Sequence, residues 1–434
     1  MVVVGQPASL DAMSSNARRV VHVSDVEGSF NRLQTFVERA PGLAFDDDGR
    51  IMVDDDTIFV FGGDAVDRGP WSRRVVRTLI DVKERAPDRV VLLGGNRDIN
   101  KLRLPRELAG ALPRKAPPEV HALLVDNKPE LLRWILSHTM GAQPAFDFRR
   151  EELRSEGVAA SDDDVVASFL HDLLPPHGDQ FRFLQLAQLG FRCGATLFVH
   201  GGFADEALGH VPGGPTFDDV DGWLHALNRF YADQLARYAR APIVVDGEPD
   251  WLDIVLYQAP KRGVGKNPGS VVYGRFGSDP WNNPRLPSST SMQWLRRHGI
   301  RRVVVGHTPC GDVPAVLRSD EDLEIVIADN SRGRIDEGVV VSISCGADDD
   351  VGVLGIDAFT CLDDDTCHRV RFTLGRDEAT DIGRVTTDGR LVKGFLDDGR
   401  ALLFRSDESF VMRQTAVPRA ELGPLLPPVD DSGA

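Results

Sequence analysis

The length, composition and charge of the chain exclude several classes of protein at the outset. Its 434 residues are 42% hydrophobic, enough for one large elaborated domain or for a core with an appendage. The net charge of −16 argues against a nucleic-acid partner, because lysine and arginine supply the affinity for a phosphate backbone. No apolar run approaches the roughly 20 residues that a membrane helix needs, so we expect a soluble protein without a membrane partner.

The cysteines and the N-terminal residues indicate the compartment. The cysteines are scattered and odd in number, which favours reduced thiols over a disulfide framework. They are Cys193, Cys310, Cys345, Cys361 and Cys367. Residues 1–18 lack the basic and apolar segments of a signal peptide and are predicted to form a loose tail. We therefore expect a cytoplasmic protein. The spacing of Cys361 and Cys367-His368 fits no familiar zinc-binding pattern, so no zinc site is predicted there.

Short apolar runs that end in glycine or a polar residue predict buried strands. These runs are residues 20–25, 58–64, 90–96, 196–200 and 302–307. Residues 30–39 and 72–85 have helical character, so the beginning of the chain is predicted to be a β-α-β-α-β series. Polar residues should gather at the carboxyl ends of the strands, where sheets of this kind form their sites.

The middle and the end of the chain have different patterns. Helical periodicity over residues 100–190 predicts a helical insertion, and Ser161 followed by three aspartates is typical of a helix start. Asp388-Gly389 and Asp398-Gly399 lie between apolar runs and predict hairpins. The predicted units are the tail (1–18), a main domain (19–360) and a β-rich C-terminal extension and tail (361–434).

Five of the predicted strand ends carry a residue that can bind a metal ion. These residues are Asp25, Asp64, Asn96, His200 and His307. Glycine lies nearby in each case, which lets the backbone turn closely around an ion. The remaining histidines, including His22 in the first strand and His138 in the insertion, lack ligand spacing and are expected to have structural roles.

The ligand candidates lie in motifs that resemble those of a known family. The motifs are Gly63-Asp64-Ala65-Val66-Asp67-Arg68-Gly69, Gly95-Asn96, His200-Gly201-Gly202 and Gly306-His307-Thr308-Pro309. In this order they resemble the calcineurin-like metallophosphoesterase superfamily, in the branch of phosphoprotein phosphatases and symmetrical diadenosine tetraphosphate hydrolases. The likeness extends from about residue 20 to 331, apart from the insertion. It implies an α/β sandwich of mixed sheets flanked by helices, here with a helical insertion and a small β C-terminal extension.

The resemblance also implies a dinuclear metal centre, at which a metal-bound hydroxide attacks a phosphoryl group. Asp25 and Asp64 would hold the first metal ion, and Asp64 would bridge to a second ion. The second ion would be held by Asn96, His200 and His307.

Two arginines are implied as contacts to the substrate. Arg68 would clamp a phosphate with its bidentate fork, unless it forms a surface salt bridge with Asp67. Arg275 is a second candidate for this role, and an ordinary exposed arginine is equally compatible with its position. Asp329, which follows a further predicted strand, either shapes the site from behind or ends that strand in a plain turn.

The chain departs from the family motifs at two positions. Glu27 stands where the family has the histidine of D-x-H, and we expect it to bind metal and to favour Mn, Fe or Mg over Zn. Arg97 replaces the histidine of G-N-H, and arginine cannot act as a general acid. It can still stabilise phosphoryl charge, with Asp98 as a partner that orients it. Phosphoanhydrides and other substrates with good leaving groups should suffer least from the exchange.

The sequence therefore predicts a metal-dependent phosphatase that hydrolyses a phosphomonoester or a phosphoanhydride and holds two divalent or trivalent metal ions. Its substrate would be a phosphorylated small molecule, a nucleotide such as a diadenosine polyphosphate, or a phosphoprotein. A non-catalytic protein that keeps the fold and binds metal or a phosphorylated ligand stays open, because two motif positions are exchanged.

Overall fold

The structure is a computed structural model that describes most of the chain in regular elements. It describes residues 19–114, 116–243, 252–261, 265–278, 282–320, 322–344, 352–375, 380–407, 411–428 and 430. The strands are β1 (Arg19–Val23), β2 (Leu43–Phe45), β3 (Ile51–Val53), β4 (Thr57–Phe61), β5 (Val90–Leu93), β6 (Ala187–Gln188), β7 (Gly190–Cys193), β8 (Thr196–Val199), β9 (Gly277–Ser278), β10 (Asn283–Pro284), β11 (Arg302–Val305), β12 (Ala315–Arg318), β13 (Glu324–Ile327), β14 (Val340–Ser344), β15 (Leu354–Cys361), β16 (Cys367–Leu374), β17 (Val385–Thr386), β18 (Leu391–Phe395), β19 (Ala401–Asp407), β20 (Val411–Val417) and β21 (Leu425–Leu426). The α-helices are α1 (Phe30–Arg39), α2 (Ser72–Arg85), α3 (Asn96–Asn100), α4 (Leu104–Leu108), α5 (Pro118–Leu124), α6 (Lys128–Thr139), α7 (Ala145–Ser155), α8 (Asp162–Leu173), α9 (Asp179–Leu186), α10 (Val220–Arg240), α11 (Asp253–Tyr257) and α12 (Ser289–Arg297).

Two mixed sheets form the centre of the fold. In the described residues the first has the order β16-β15-β14-β1-β4-β5-β6, and the second has the order β12-β13-β11-β8-β7. Strands β1, β4 and β5 run parallel to one another, as do β8, β11 and β13. Parallel neighbours end at the same edge of a sheet, so each sheet gathers its strand ends on one side.

The two sheets pack face to face through apolar side chains. Val20 and Val60 of the first sheet share one buried cluster with Phe198 and Val304 of the second. The alternate residues of β1 and β4 belong to a second cluster, together with side chains of α1, α2 and α10. Alternation along a strand sends neighbouring residues to opposite faces, so each buried strand contributes to both layers. The predicted sandwich of mixed sheets flanked by helices is thereby confirmed.

Helices α4 to α8 enclose a separate apolar cluster, as the helical periodicity predicted. Leu104, Leu132, Phe146 and Phe169 are among its buried members. The predicted start at Ser161 is confirmed in detail, because its hydroxyl accepts the N–H of Asp164 and the Asp164 carboxylate accepts the N–H of Ser161. None of the helices in the described ranges is both long enough and apolar enough to cross a membrane.

The end of the chain forms a third sheet, with the order β20-β19-β18-β17-β21. Both predicted hairpins are confirmed, since Asp388-Gly389 connects β17 to β18 and Asp398-Gly399 connects β18 to β19. Strand β16 belongs to the first sheet instead, where it pairs with β15 along its whole length. The division of the chain at residues 18 and 361 stays a prediction.

The cysteine expectation is wrong for one pair. Cys361 ends β15 and Cys367 begins β16, directly opposite each other in the hairpin, and a disulfide joins them. Their sulfur atoms are therefore not thiolates that a zinc ion could bind. Cys193 and Cys310 are buried and are not part of this disulfide, and Cys345 lies outside the described residues. A spacing of six residues gave no sign of this pairing, because only the register of the hairpin sets it.

Candidate metal centre and substrate cleft

The predicted ligands follow the carboxyl ends of the central strands. Asp25 follows β1, Asp64 follows β4, and Asn96 opens α3 just after β5. In the second sheet, His200 follows β8 directly and His307 lies two residues beyond β11. Because the strands within each set are parallel, their ends bring these side chains to one edge of the sandwich.

The backbone at these positions adopts a conformation that residues other than glycine rarely take. The φ angles are 53° at Asp25, 47° at Glu27, 58° at Asp64 and 61° at His307. Backbone hydrogen bonds hold the loops together, from the Asp25 N–H to the Gly63 carbonyl (3.0 Å) and from the Glu27 N–H to the Asp64 carbonyl (2.9 Å). Strained backbone of this kind is maintained by its surroundings and clusters at functional sites.

Two glycines let the loops approach closely enough for the site to form. A Cβ atom on Gly95 would lie 2.2 Å from both the backbone nitrogen and the Oδ1 atom of Asp64. A Cβ atom on Gly306 would lie 2.1 Å from Asp25 Oδ2. Any larger residue at either position would displace a candidate ligand, which explains the glycines in these motifs.

Asp64, His200 and His307 form a buried group whose potential ligand atoms all lie within 4.8 Å of one another. His200 Nδ1 lies 2.8 Å from the Gly62 carbonyl oxygen, which can only accept a hydrogen bond. A neutral His200 therefore carries its proton on Nδ1 and presents a lone pair at Nε2. That atom lies 3.2 Å from Asn96 Oδ1 and 3.4 Å from Asp64 Oδ1. Three electron-pair donors that converge in this way fit a cation.

His307 is also prepared to bind a cation. Burial, then the positive charge of Arg275, lowers the pKa of His307 well below its usual value, so the ring is neutral. Its buried Nε2 atom has no hydrogen-bond partner in the described part of the chain. The backbone N–H of His307 donates to both oxygens of Asp25, at 3.2 and 3.1 Å, and so fixes that carboxylate.

Carboxylates crowd the same space. Burial raises the pKa of Asp25 well above its usual value, and the nearby charges of Asp329 and Asp64 raise it further. The pKa of Asp64 is also raised by burial, against the lowering influence of His200 and Arg97. Buried negative charges that repel one another are stabilised by a metal ion. The donor set of carboxylate, amide and imidazole groups therefore fits metal binding.

Glu27 is shared between two arginines. Arg97 Nε lies 2.5 Å from one oxygen of Glu27, and Arg68 Nη1 lies 3.3 Å from the other. Burial raises the pKa of Glu27, and the two arginines oppose this rise. Arg68 thus pairs with Glu27 rather than with Asp67, while Asp67 pairs with the buried Lys101 at 2.6 Å.

The ion pair predicted between Arg97 and Asp98 is not among the contacts of the described residues. Instead, Arg97 Nη1 lies 3.4 Å from the carboxylate of Asp67, and Arg97 Nε lies 3.6 Å from that of Asp64. The Asp98 carboxylate accepts three backbone N–H groups, from Asp64 (2.8 Å), Ala65 (2.9 Å) and Gly95 (3.0 Å). Helix α3 turns the Asp98 side chain back to its own start, so it supports the Asp64 loop.

The loop after His307 is held by the third sheet. Gln414 Nε2 in β20 donates to Asp312 Oδ2 (2.6 Å), and Gln414 Oε1 accepts the Asp312 N–H (3.0 Å). The buried Lys393 of β18 donates to the Cys310 carbonyl. These contacts connect the C-terminal sheet to the segment that carries one predicted ligand.

The candidate centre opens into a cleft of about 300 Å³. Arg275 lines it and donates from Nη1 to the His307 carbonyl at 3.1 Å. The sequence analysis missed several lining residues, because they lie far apart in the chain and outside the family motifs. They are Arg103, Arg114, His138, Tyr273 and Arg332. Asp329 also lines the cleft, beside Asp25.

A sandwich of mixed sheets with buried carboxylates, imidazoles and arginines at its strand ends defines a metal-dependent phosphoester hydrolase. The sequence model of the calcineurin-like phosphoesterase family matches residues 18–311. The chain belongs to this family.

Solved structures with a similar arrangement are distant in sequence. A cold-active protein-tyrosine phosphatase of a psychrophilic Shewanella species shares 15% identity and a TM-score of 0.45, over 81% of this chain and 80% of its own. A serine/threonine phosphatase from Saccharomyces cerevisiae shares 13% identity and a TM-score of 0.37, over 85% and 83%. A structure described as a putative diadenosine tetraphosphatase shares 13% identity and a TM-score of 0.32, over 84% and 97%. None of the curated proteins compared with the chain matches it.

Proposed function

We propose that the protein is a phosphatase with a dinuclear metal centre that hydrolyses a phosphomonoester or a phosphoanhydride. The observation that carries the proposal is the position of Asp64 between two groups of donors. On one side His200 Nε2 lies 3.4 Å from Asp64 Oδ1, with Asn96 next to it. On the other side the backbone N–H of Glu27 donates to the Asp64 carbonyl, and Asp64 is close enough to Asp25 that its negative charge adds to the rise in the pKa of Asp25 caused by burial.

The ligands in this proposal are Asp25, Glu27, Asp64, Asn96, His200 and His307. When bound, the metal ions supply Lewis-acid charge to the phosphoryl oxygens and lower the pKa of the attacking water. Carboxylate-rich donors favour Mn, Fe or Mg over Zn. The protein itself supplies orientation, through the His200 ring fixed by the Gly62 carbonyl and through Asp98 behind the Asp64 loop.

The arginines of the centre hold and neutralise charge in the proposed reaction. Arg68 is partly exposed at the cleft and pairs with Glu27 through only one long contact of 3.3 Å, so its fork can reach a phosphate. Arg97 stays protonated, because Glu27, Asp67 and Asp64 raise its pKa against the effect of burial. It can stabilise negative charge and cannot donate a proton to a leaving group.

Metal content and turnover of 4-nitrophenyl phosphate test the proposal together. We expect two bound Mn²⁺ ions per chain by elemental analysis, and turnover that EDTA removes and Mn²⁺ restores. The Asp64→Asn variant should lose both the bound metal and the turnover. Asp47→Asn, the same exchange at an exposed turn residue, is the matched control and should behave as the wild type.

Two results would contradict parts of the proposal. Bound metal without turnover of any phosphate ester or anhydride would favour a non-catalytic binding protein. One metal ion per chain with full activity would contradict the dinuclear centre and leave the hydrolase class intact. Location in the cytoplasm stays a prediction.

A further inference from the structure

We propose that the helical insertion builds a second anion subsite next to the metal centre, and that the substrate is a phosphoanhydride whose leaving group is itself a phosphate. The inference rests on the proposed function and names the substrate class of that site. The residues concerned, called the insertion wall below, are Arg103, Arg114 and His138.

The first support is the charge of the cleft. The chain as a whole has a net charge of −16. Yet the described residues that line the cleft include six arginines and four carboxylates. The carboxylates, Asp25, Glu27, Asp64 and Asp329, all belong to the metal centre or adjoin it. The part of the cleft away from the metal centre is therefore cationic and suits an anionic group that the metal ions do not hold.

Arg103 is built into this wall as a fixed positive group. Its side chain is only 1% exposed, and it lies between two neighbouring helices of the insertion. Arg103 Nη2 donates to Thr139 Oγ1 at 2.7 Å, and Arg103 Nε lies 3.2 Å from Glu107 Oε1. Burying a guanidinium is costly, and these two contacts hold it in place. An arginine fixed in this way at a cleft wall is already oriented when a ligand arrives.

Arg114 adds a charge that the wall does not balance. Glu107 interacts with both Arg103 and Arg114, so one carboxylate faces two guanidinium groups. In the part of the chain that the structure describes, Arg114 closes no salt bridge, and its backbone N–H donates to Glu107 (2.9 Å). Its side chain is half-buried, which strengthens its attraction for an anion in the cleft.

Tyr273 connects the wall to the metal centre. Its ring centroid lies 4.8 Å from that of His307, and its phenol is close enough to interact electrostatically with Arg114. Arg114, Tyr273 and His307 line the same cleft. In the proposed binding mode one phosphate of the anhydride lies at the metal centre and the next lies against Arg114.

Hydrolysis of such an anhydride would release a charged phosphate beside the insertion wall. In an anhydride, water adds through its oxygen to the terminal phosphorus, and the bond from that phosphorus to the bridging oxygen breaks. The bridging oxygen leaves with the electron pair as part of the remaining phosphate, one water proton stays on orthophosphate and the other goes to solvent. Arg114 and Arg103 stabilise the charge on that leaving phosphate.

Hydrolysis of inorganic tripolyphosphate and of 4-nitrophenyl phosphate by the Mn²⁺-loaded protein tests the inference. We expect a higher kcat/KM for tripolyphosphate, because only that compound reaches the insertion wall with an anionic group. Arg114→Gln should lower kcat/KM for tripolyphosphate by about tenfold to a hundredfold, the loss typical of a charge-assisted contact, and change that for the aryl phosphate less than about twofold. Arg154→Gln, an exposed arginine of α7 away from the cleft, is the matched control and should change neither.

Several results would overturn the inference. An equal loss for both substrates in Arg114→Gln would mean a structural role for Arg114. No loss in that variant, or a preference of the wild type for the aryl phosphate, would exclude the subsite. If neither compound is hydrolysed, the proposed function fails, and calorimetry with pyrophosphate and orthophosphate decides the subsite separately. Arg114→Gln must then weaken pyrophosphate binding by about tenfold or more and leave orthophosphate unchanged; equal affinities in wild type and variant would refute it.

Discussion

Replacing Asp98 by asparagine removes one support of the metal centre without touching a proposed ligand. The Asp98 side chain is fully buried, and its Oδ2 atom accepts the N–H groups of Asp64 and Gly95 while Oδ1 accepts that of Ala65. Burial, then the charge of Asp64, raises the pKa of Asp98 to about 8, so the carboxylate is ionised at pH 9. An asparagine side chain offers only one oxygen, and its NH2 group would face the third N–H.

The expected loss follows from these three hydrogen bonds. Two bonds lose the assistance of the negative charge, and one buried N–H is left without an acceptor. Together these changes should lower the free energy of unfolding by about 2 to 4 kcal/mol at pH 9. The Asp64 loop would also lose its anchor, which should weaken Mn²⁺ binding by about tenfold to a hundredfold.

Urea unfolding of the metal-free protein and calorimetric titration with Mn²⁺, both at pH 9, measure the two effects of Asp98→Asn. Asp88→Asn, the same exchange at an exposed residue before β5, is the control and should change neither quantity. The reasoning is refuted if Asp98→Asn unfolds at the wild-type urea concentration and binds Mn²⁺ within about twofold of the wild type.

Three further predictions concern other buried or exchanged residues. Burial lowers the pKa of His22 to about 3. Near pH 6.5 this imidazole is therefore protonated in the unfolded chain and stays neutral in the folded chain. Stability is therefore lost as the pH falls from 6.5 towards 3, and His22→Leu should remove about 2 kcal/mol of the loss seen between pH 8 and pH 5 in urea titrations with EDTA; an unchanged pH profile would contradict this. Gln414→Glu brings a second carboxylate against Asp312 and should lower the melting temperature at pH 8 far more than at pH 4, whereas Gln414→Met should show no such pH dependence. Arg97→His should raise the turnover of an alkyl phosphate relative to tripolyphosphate by about tenfold or more, since imidazole can protonate an alkoxide; a ratio at or below that of the wild type would count against the role given to this position.

The strands and the approach of the predicted ligands could be read from the sequence because local features determine them. Each central strand is a short apolar run that ends where a glycine or an acidic residue allows a left-handed turn, as at Asp25 and Asp64. Parallel pairing then brings these turns to one edge, whatever the intervening chain does. Helix α1 and helix α2 have the predicted bounds for a similar reason, since their amphipathic periodicity is complete in itself.

The contacts that the sequence did not reveal depend on chain segments far apart. Arg97 pairs with Glu27, which lies 70 positions away in the sequence. Its guanidinium also contacts the backbone carbonyls of Met140 and Gly141, just after the end of α6. No local pattern indicates which of several nearby carboxylates an arginine will choose. The cationic wall of the cleft is hidden for the same reason, because Arg103 and Arg114 show no periodicity that separates them from surface arginines.

The hold of the third sheet on the segment after His307 sets a lower limit for any working fragment. The family match ends at residue 311, one position before Asp312. Gln414 of β20 forms a hydrogen bond with Asp312. A shortened gene that stopped at the end of the match would therefore remove the third-sheet residues that hold the segment after His307. It would also remove three strands of the first sheet. Expression trials, domain transplants and searches for remote relatives should accordingly treat everything up to β20 as one indivisible working part.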